Sequence, residues 1–317
     1  MFKNFWQQTI ENLKKQYGER KIFLGIGVFD GVHLGHKAVL QELKKLSAAS
    51  NGLNIAVTFS PHPRSLIAEA KQPKLLIGLK ERVHFLKEAG ADEVIIVNFN
   101  REFANLSAEE FLAVLFEQSE GALGGICVGK DWRFGAGGKG DYQLLSKFCA
   151  EHNIGFVGVE NLIIDNEIVS SSNIRVALSS GLFNKANRLL GRNYRLRGIV
   201  ERGYNIASTK LEKPTANLKI ENGILIPDGV YAAWAYLNGN SYCSAVNVGF
   251  APTFNYQKNE RRIEVHLLDF SENIYGEYLE IELVKYIRSE KSFNSAEELR
   301  KQIFTDIQNI KMILHKN

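Results

Sequence analysis

From residue 21 to about 160, short apolar runs alternate with segments whose apolar positions recur at intervals of three and four. KIFLGIG precedes a helical pattern from about Gly35 to Ser50, and NIAVTF precedes a loop and then LKERVHFLKEAG. EVIIVNF leads into SAEEFLAVLFEQ, GGICVG into DYQLLSKFCAEHN, and IGFVGVE closes the series. Runs that are apolar on both faces and joined by helices predict a parallel α/β sheet with right-handed crossovers. Nucleotides bind such sheets at the carboxyl ends of the strands, and here glycine-rich or polar clusters follow the strand patterns repeatedly.

After Asn184 the rhythm changes. RGIVE, GVYAAWAYL, NSYCSAVNVG, RRIEVHLLDF and EYLEIELVKYI follow one another without intervening helices, separated by turn signals such as NGN and PDG. This pattern predicts a small antiparallel barrel or sandwich. The tail SAEELRKQIFTDIQNIKMILHK returns to a helical period and opens with Ser and, three residues on, Glu, as a capping box does. The boundary falls near residues 181–190, giving domains of 1–183 and 184–317. The first twenty residues read as a charged amphipathic helix with no assigned role.

Composition narrows the classes. With 317 residues, 45% apolar and 23% charged, the chain has the makeup of a soluble protein long enough for two cores. A net charge of +4 fits anionic small molecules and is too weak to indicate nucleic acid. The basic run through Arg188, Arg192, Arg195, Arg197 and Arg202 carries only Tyr194 and Tyr204 as stacking aromatics and is expected to be a solvated linker surface. Cys127, Cys149 and Cys243 are widely spaced, which suggests neither a disulfide framework nor zinc and points to a reducing cytoplasm. No run approaches the ~18 apolar residues of a membrane span, so no membrane partner is expected.

The densest chemistry lies in GVFDGVHLGH, residues 27–36, between the first strand and the first helix of the sheet pattern. Gly27 and Gly31 permit tight turns, and Gly35 lets a ligand approach a helix start whose free N–H groups favour anions. His33 and His36 are three apart and share a face once the helix has begun. The same stretch also reads as a helix cap at Asp30 with ordinary surface or core histidines. Three further clusters follow predicted strands or open a helix. TFSPHP places His62 between prolines, VGKDWRFGAGGKGD combines Asp131 and Arg133 with a glycine loop, and VSSSNIR offers Ser170, Ser171, Ser172 and Arg175. Each of these also reads as a turn or a cap. GGICVGKD nearly matches a P-loop, but Asp131 stands where a hydroxyl should hold magnesium, so a P-loop is rejected.

These motifs in this order resemble the FMN adenylyltransferase module of bacterial bifunctional FAD synthetases: GVFDGVHLGH, TFSPHP, DWRFGAGGKGD and SSSNIR. The second half resembles the riboflavin kinase module through KPTANL, PDGVYA, AVNVGFAPTF and EVHLLDF. The resemblance covers nearly the whole chain from about residue 21. It implies a Rossmann-like nucleotidyltransferase domain followed by a small β-barrel kinase domain with a C-terminal helix. It also implies that riboflavin is phosphorylated by ATP to FMN, and that FMN then takes AMP from a second ATP to give FAD and pyrophosphate.

On the residues, the resemblance implies that His33 and His36 serve the triphosphate and its transition state and that Arg175 serves the departing pyrophosphate. Asp30 and Gly31 would shape the turn. Gly27, Phe29, Gly35, His62, Asp131, Arg133, Ser171 and Ser172 complete the nucleotide-binding set. In the kinase half, Thr215 and Asn217 would offer oxygens to Mg²⁺ shared with ATP, and Glu264 would be the base for the ribityl hydroxyl. One departure stands out. The family usually places a Gly-aromatic pair before Pro-Thr-Ala-Asn, where this chain has Glu212 and Lys213, and a carboxylate there repels ATP phosphates. An adenylyltransferase whose second domain is only a flavin-binding or structural module is therefore the alternative. Phe250, Phe254 and Tyr256 read equally as barrel core or flavin contacts, and oligomeric state is not legible.

Overall fold

The computed structural model describes residues 2–67, 73–201, 216–220, 222–250 and 261–315. Thr215, the Glu212–Lys213 departure, Arg202, Tyr204, Phe254 and Tyr256 lie outside the described residues. The chain divides into two compact units, Met1–Ser171 and Ser172–Asn317.

The first unit is built on the predicted parallel sheet. Its strands are β1 (Ile22–Ile26), β2 (Leu53–Ser60), β3 (Glu93–Asn98), β4 (Leu123–Gly129) and β5 (Gly155–Val159), in spatial order β3-β2-β1-β4-β5. β1 is buried at every position and β2 at all but its last, as a parallel sheet covered on both faces requires. The helices are α1 (Phe2–Tyr17), α2 (Leu34–Ala48), α3 (Arg64–Ile67), α4 (Leu79–Glu88), α5 (Arg101–Ala104), α6 (Ala108–Glu117) and α7 (Tyr142–Glu151). One core joins Ile22, Leu24 and Ile26 of the central strand to Trp6 and Ile10 of α1, Phe111 and Leu112 of α6, and Leu145 of α7. The N-terminal helix thus has a structural task. Its buried Trp6 indole donates to Ser119 Oγ at 3.1 Å. On the opposite face α2 lies close to β1, because a Cβ on Gly25 would already sit 3.2 Å from Leu40 and Leu43. The strand order reverses between β1 and β4, which makes the crevice at their carboxyl ends the switch point of the sheet. A two-stranded hairpin, β6 (Ile163–Ile164) and β7 (Glu167–Ile168), precedes the next helix and was not legible in the hydrophobic pattern, since each strand is only two residues long.

The second unit begins with α8 (Ser171–Ser179), whose first residue still belongs to the first unit, and α9 (Phe183–Leu190). Six strands then close a barrel: β8 (Arg195–Glu201), β9 (Ala216–Ile220), β10 (Gly229–Leu237), β11 (Asn240–Phe250), β12 (Arg261–Leu267) and β13 (Tyr278–Arg288), in spatial order β10-β11-β12-β9-β8-β13. Closure decides against the sandwich. Alternation is strict on β12, where Ile263, Val265 and Leu267 are buried and Arg262, Glu264 and His266 are only partly so. The C-terminal helix α10 (Ala296–Leu314) is capped by Ser295, whose side chain accepts from Glu298 N–H, as its opening residues predict. It lays Ile307, Ile310 and Leu314 against Ala232 and Leu268 of the barrel unit.

Two arginines of the basic run depart from the solvated linker expected from sequence, whereas Arg188 is exposed as expected. Arg195 and Arg197 sit on β8, where Arg195 pairs with Glu280 and Glu282 and Arg197 with Glu280 of the adjacent β13. Arg195 also lies 4.0 Å from the centre of the Tyr236 ring. These arginines are neutralised within the barrel wall rather than presented to a polyanion.

Candidate active sites

The stretch 27–36 follows β1 at the switch point. Gly27 N–H extends the β1–β2 pairing by donating to Val57 C=O at 3.1 Å. The chain then passes through three left-handed positions, Phe29 at φ 54°, Gly31 at φ 87° and Val32 at φ 38°. Only the middle one is a glycine. A non-glycine residue held there costs about 1–3 kcal/mol and persists where its surroundings over-determine it. Here Phe29 and Val32 are fully buried, so core packing holds the strained turn.

Asp30 does not cap the helix. Its carboxylate is buried and accepts from Leu76 N–H at 2.9 Å, while its backbone C=O accepts from Ser171 Oγ at 2.8 Å. The cap is His33, whose Nδ1 accepts from His36 N–H at 3.3 Å. A neutral His33 bonded in this way carries its proton on Nε2. The His33 and His36 rings stack with centroids 3.6 Å apart, and Phe29 meets His36 edge-on at 5.2 Å. Gly35 makes room for this stack: a Cβ there would lie 3.2 Å from the His33 ring and 3.4 Å from the Val169 carbonyl. Two imidazoles are therefore held together over the start of α2, where helix N–H groups favour an anion.

The other residues predicted for the adenylyl step lie in three places, the last of which runs from the first unit into the second. His62 is buried at the end of β2, with Nδ1 accepting from Arg64 N–H at 3.1 Å. Asp131 and Arg133 lie exposed after β4, where Asp131 accepts from Asn161 and Arg133 pairs with Asp141 at 3.1 Å. Asp141 in turn caps α7. Ser171 opens α8 and is tied to the Asp30 backbone, and Ser172 and Arg175 follow on the same helix.

In the barrel, strand register assembles a second group. Glu264 of β12 stands opposite Asn217 of β9 on one side and Asn247 of β11 on the other. Directly opposed residues project to the same face of a sheet, so a carboxylate is flanked by two amides in a row outside the barrel core. Burial raises the Glu264 carboxyl above its ordinary value; Arg262 opposes this, and the like charge of Glu290 adds to it. The Glu290 carboxylate fills the space over Gly249, leaving no room for a Cβ. Asn217 Oδ1 is buried and accepts no hydrogen bond among the described residues. On the opposite face of β9 and β12 a cleft of about 180 Å³ is lined by Ala216, Val265, Leu267, Phe270 and Tyr275 among others. Among the described residues no group of three or more His, Cys, Asp and Glu side chains could hold a metal ion by itself. An orphaned amide oxygen fits Mg²⁺, which takes one or two protein oxygens and completes its shell with phosphate and water.

Comparison with known proteins agrees with both halves. The FAD synthetase family model matches residues 15–173 and the riboflavin kinase model residues 190–314. A bifunctional riboflavin kinase/FMN adenylyltransferase from Bacillus subtilis is 37% identical over 92% of this chain and 92% of its own. The chain belongs to this family of bifunctional transferases. The Escherichia coli K12 member is 35% identical over 94% of each chain, and that of Buchnera aphidicola from Schizaphis graminum 34% over 95% of this chain and 96% of its own. A crystal structure of a Streptococcus pneumoniae protein named as a macrolide-efflux protein superposes with a TM-score of 0.80 at 27% identity, covering 92% of this chain and 94% of that one. For this family member, no helix among the described residues is long and apolar enough to cross a membrane.

Three residues of these sites carry no motif signal. Arg82 is almost wholly buried against the end of β2, and a lone Arg in an amphipathic helix pattern gives no sign of that. Asn247 becomes relevant only through the register that sets it beside Glu264. Glu290 follows the last strand and reaches Gly249 only once the barrel has closed.

Proposed function

We propose that residues 1–183 transfer AMP from ATP to FMN and residues 184–317 phosphorylate riboflavin, the division lying between the end of the first family match and the start of the second. What carries this reading is that one chain holds both a histidine-capped turn at the switch point of a parallel sheet and a desolvated carboxylate beside an orphaned amide on a closed barrel. The rival reading, an adenylyltransferase with an idle second domain, has no comparable support, because Glu264 and Asn217 stand together in register.

In the first half the FMN phosphate oxygen attacks the α-phosphorus of ATP, and the bond to pyrophosphate breaks. The nucleophile is already anionic, so positioning and charge stabilisation suffice. His33 Nε2 and the His36 ring face the triphosphate and its transition state. Gly27, Phe29, Asp30, Gly31 and Gly35 fix the turn that presents them, and His62, Ser171 and Ser172 bind nucleotide. Arg175 receives the departing pyrophosphate, and Asp131 and Arg133 contact nucleotide or flavin phosphate by exchanging their present loop partners.

In the second half the attacking group is a neutral ribityl hydroxyl, which needs a base. Glu264 takes that proton, and its raised pKa matches it better to the task than an exposed carboxylate. Thr215 and Asn217 would hold Mg²⁺, which when bound would neutralise charge on the ATP phosphates. The protein works in the cytoplasm. Its three cysteines are unpaired, and burial pushes the Cys127 and Cys149 thiols up to about 12, as fits inert thiols in a reducing compartment. Chromatography of products from purified protein with Mg-ATP, supplied with riboflavin or with FMN, tests the assignment. Riboflavin giving FMN and then FAD is the expected result; FMN giving FAD with riboflavin unchanged overturns the kinase half alone.

A further inference from the structure

Among the described charged side chains outside the motifs, Arg82 of α4 is the most deeply buried, at 2% exposure. A guanidinium is placed in a core only where its charge and donors are used. Its Nη1 donates to two acceptors at the end of β2, Thr58 Oγ1 at 3.2 Å and Phe59 C=O at 2.9 Å. Thr58 Oγ1 passes the contact on by donating to Val28 C=O at 2.9 Å, inside the turn that follows β1. Burial lowers the pKa of Arg82 from its ordinary value, and the negative charge of Asp30 opposes that shift. The Nε atom has no hydrogen-bond partner among the described residues.

Arg82 Nη1 and the Thr58 hydroxyl therefore form one run of hydrogen bonds from α4 through the end of β2, which leads to His62, to the turn after β1, which leads to His33 and His36. The geometry points to Arg82 as a positioning residue for adenylyl transfer: a buried cation that, through Thr58, fixes the spacing of the GVFDGVH turn and the TFSPHP loop without itself touching substrate. This rests on the assignment of the 27–36 turn to the adenylyl step. A misplacement of about 1 Å in such a site costs on the order of 10²-fold in rate, so the role has a kinetic signature.

Because both bonds are made by the one Nη1 atom, a lysine ammonium can replace them and keep the charge, whereas methionine keeps only the volume. The test uses the full chain and follows FAD formation from FMN and FMN formation from riboflavin separately, with FMN and ATP varied. For Arg82→Met the expected result is a fall of about 10²-fold in kcat for FAD formation, with smaller changes in KM and unchanged riboflavin phosphorylation. Arg82→Lys is expected to recover FAD formation to within about threefold of the parent. Should Arg82→Met fail to fold, Arg82→Gln, which retains donors but not charge, carries the same readouts with an intermediate loss expected. FAD formation untouched in Arg82→Met overturns the inference. So does a folded Arg82→Lys as impaired as Arg82→Met, loss of both activities together, or failure of both neutral variants to fold. His36→Ala, run in parallel, separates the two levels: if it retains full FAD formation the site assignment itself is wrong, and if it alone is impaired only the role of Arg82 is.

Discussion

The two halves of this chain solve related problems of phosphorus chemistry with different structural means. In the first unit the functional elements are backbone turns at strand ends, held by buried polar groups: the Asp30 carboxylate on Leu76 N–H, the Asp30 carbonyl on Ser171, and Arg82 on the end of β2. In the second they are side chains on a barrel wall, brought together by strand register, with Glu264 between Asn217 and Asn247. The difference follows from the nucleophile. An anionic phosphate needs only to be aimed and its charge neutralised, which rigid turns and helix starts do well. A neutral hydroxyl needs a base of raised pKa, and a half-buried carboxylate near a like charge is suited to that proposed role.

The largest expected effect breaks the comparison from the barrel side. Glu264→Gln removes the proposed base while keeping the shape, and riboflavin phosphorylation should fall by about 10³-fold while FMN still becomes FAD at the parental rate. The mirror experiment is His36→Ala, for which FAD formation should fall by about 10²- to 10³-fold and FMN formation from riboflavin should persist. If either variant lost both activities equally, the two halves would not be separate catalysts. A smaller effect is expected from Asn217→Ala. Removing the orphaned amide oxygen should raise the magnesium needed for half-maximal riboflavin phosphorylation by about tenfold or more, with the magnesium dependence of FAD formation unchanged.

The smallest effect sharpens the electrostatic side. As the proposed base, Glu264 would act only when ionised, so riboflavin phosphorylation should rise with pH through an apparent pKa above the usual carboxylate range. Glu290 contributes to that upward shift as a like charge, so Glu290→Gln should move the acid limb of the profile to lower pH, by less than about one unit. A limb that stays in place, or moves up, removes Glu290 from the account.

Much of this protein was legible before any coordinates. The alternation of apolar runs and helical periods gave the parallel sheet, and the later succession of strand patterns gave the antiparallel unit, because burial on two faces and burial on one leave different periods in sequence. The order of motifs pointed to the family, since each occupies a strand end or a helix start that its own residue types mark. Other features were hidden. The β6–β7 hairpin is too short to leave a period, and closure of the barrel over the sandwich depends on pairing of β8 with β13, far apart in sequence. Arg195 and Arg197 read as loose surface charge until that same pairing set Glu280 and Glu282 beside them.

The sequence alone thus determined which elements form and which local motifs they carry, because helix and strand periods and glycine turns act over a few neighbouring residues. Tertiary structure decided which distant residues share an environment. It made His33 rather than Asp30 the cap of α2, placed the buried Arg82 between two motifs, and aligned Glu264 with two amides. Those outcomes depend on desolvation and strand register, which exist only when the chain has closed on itself.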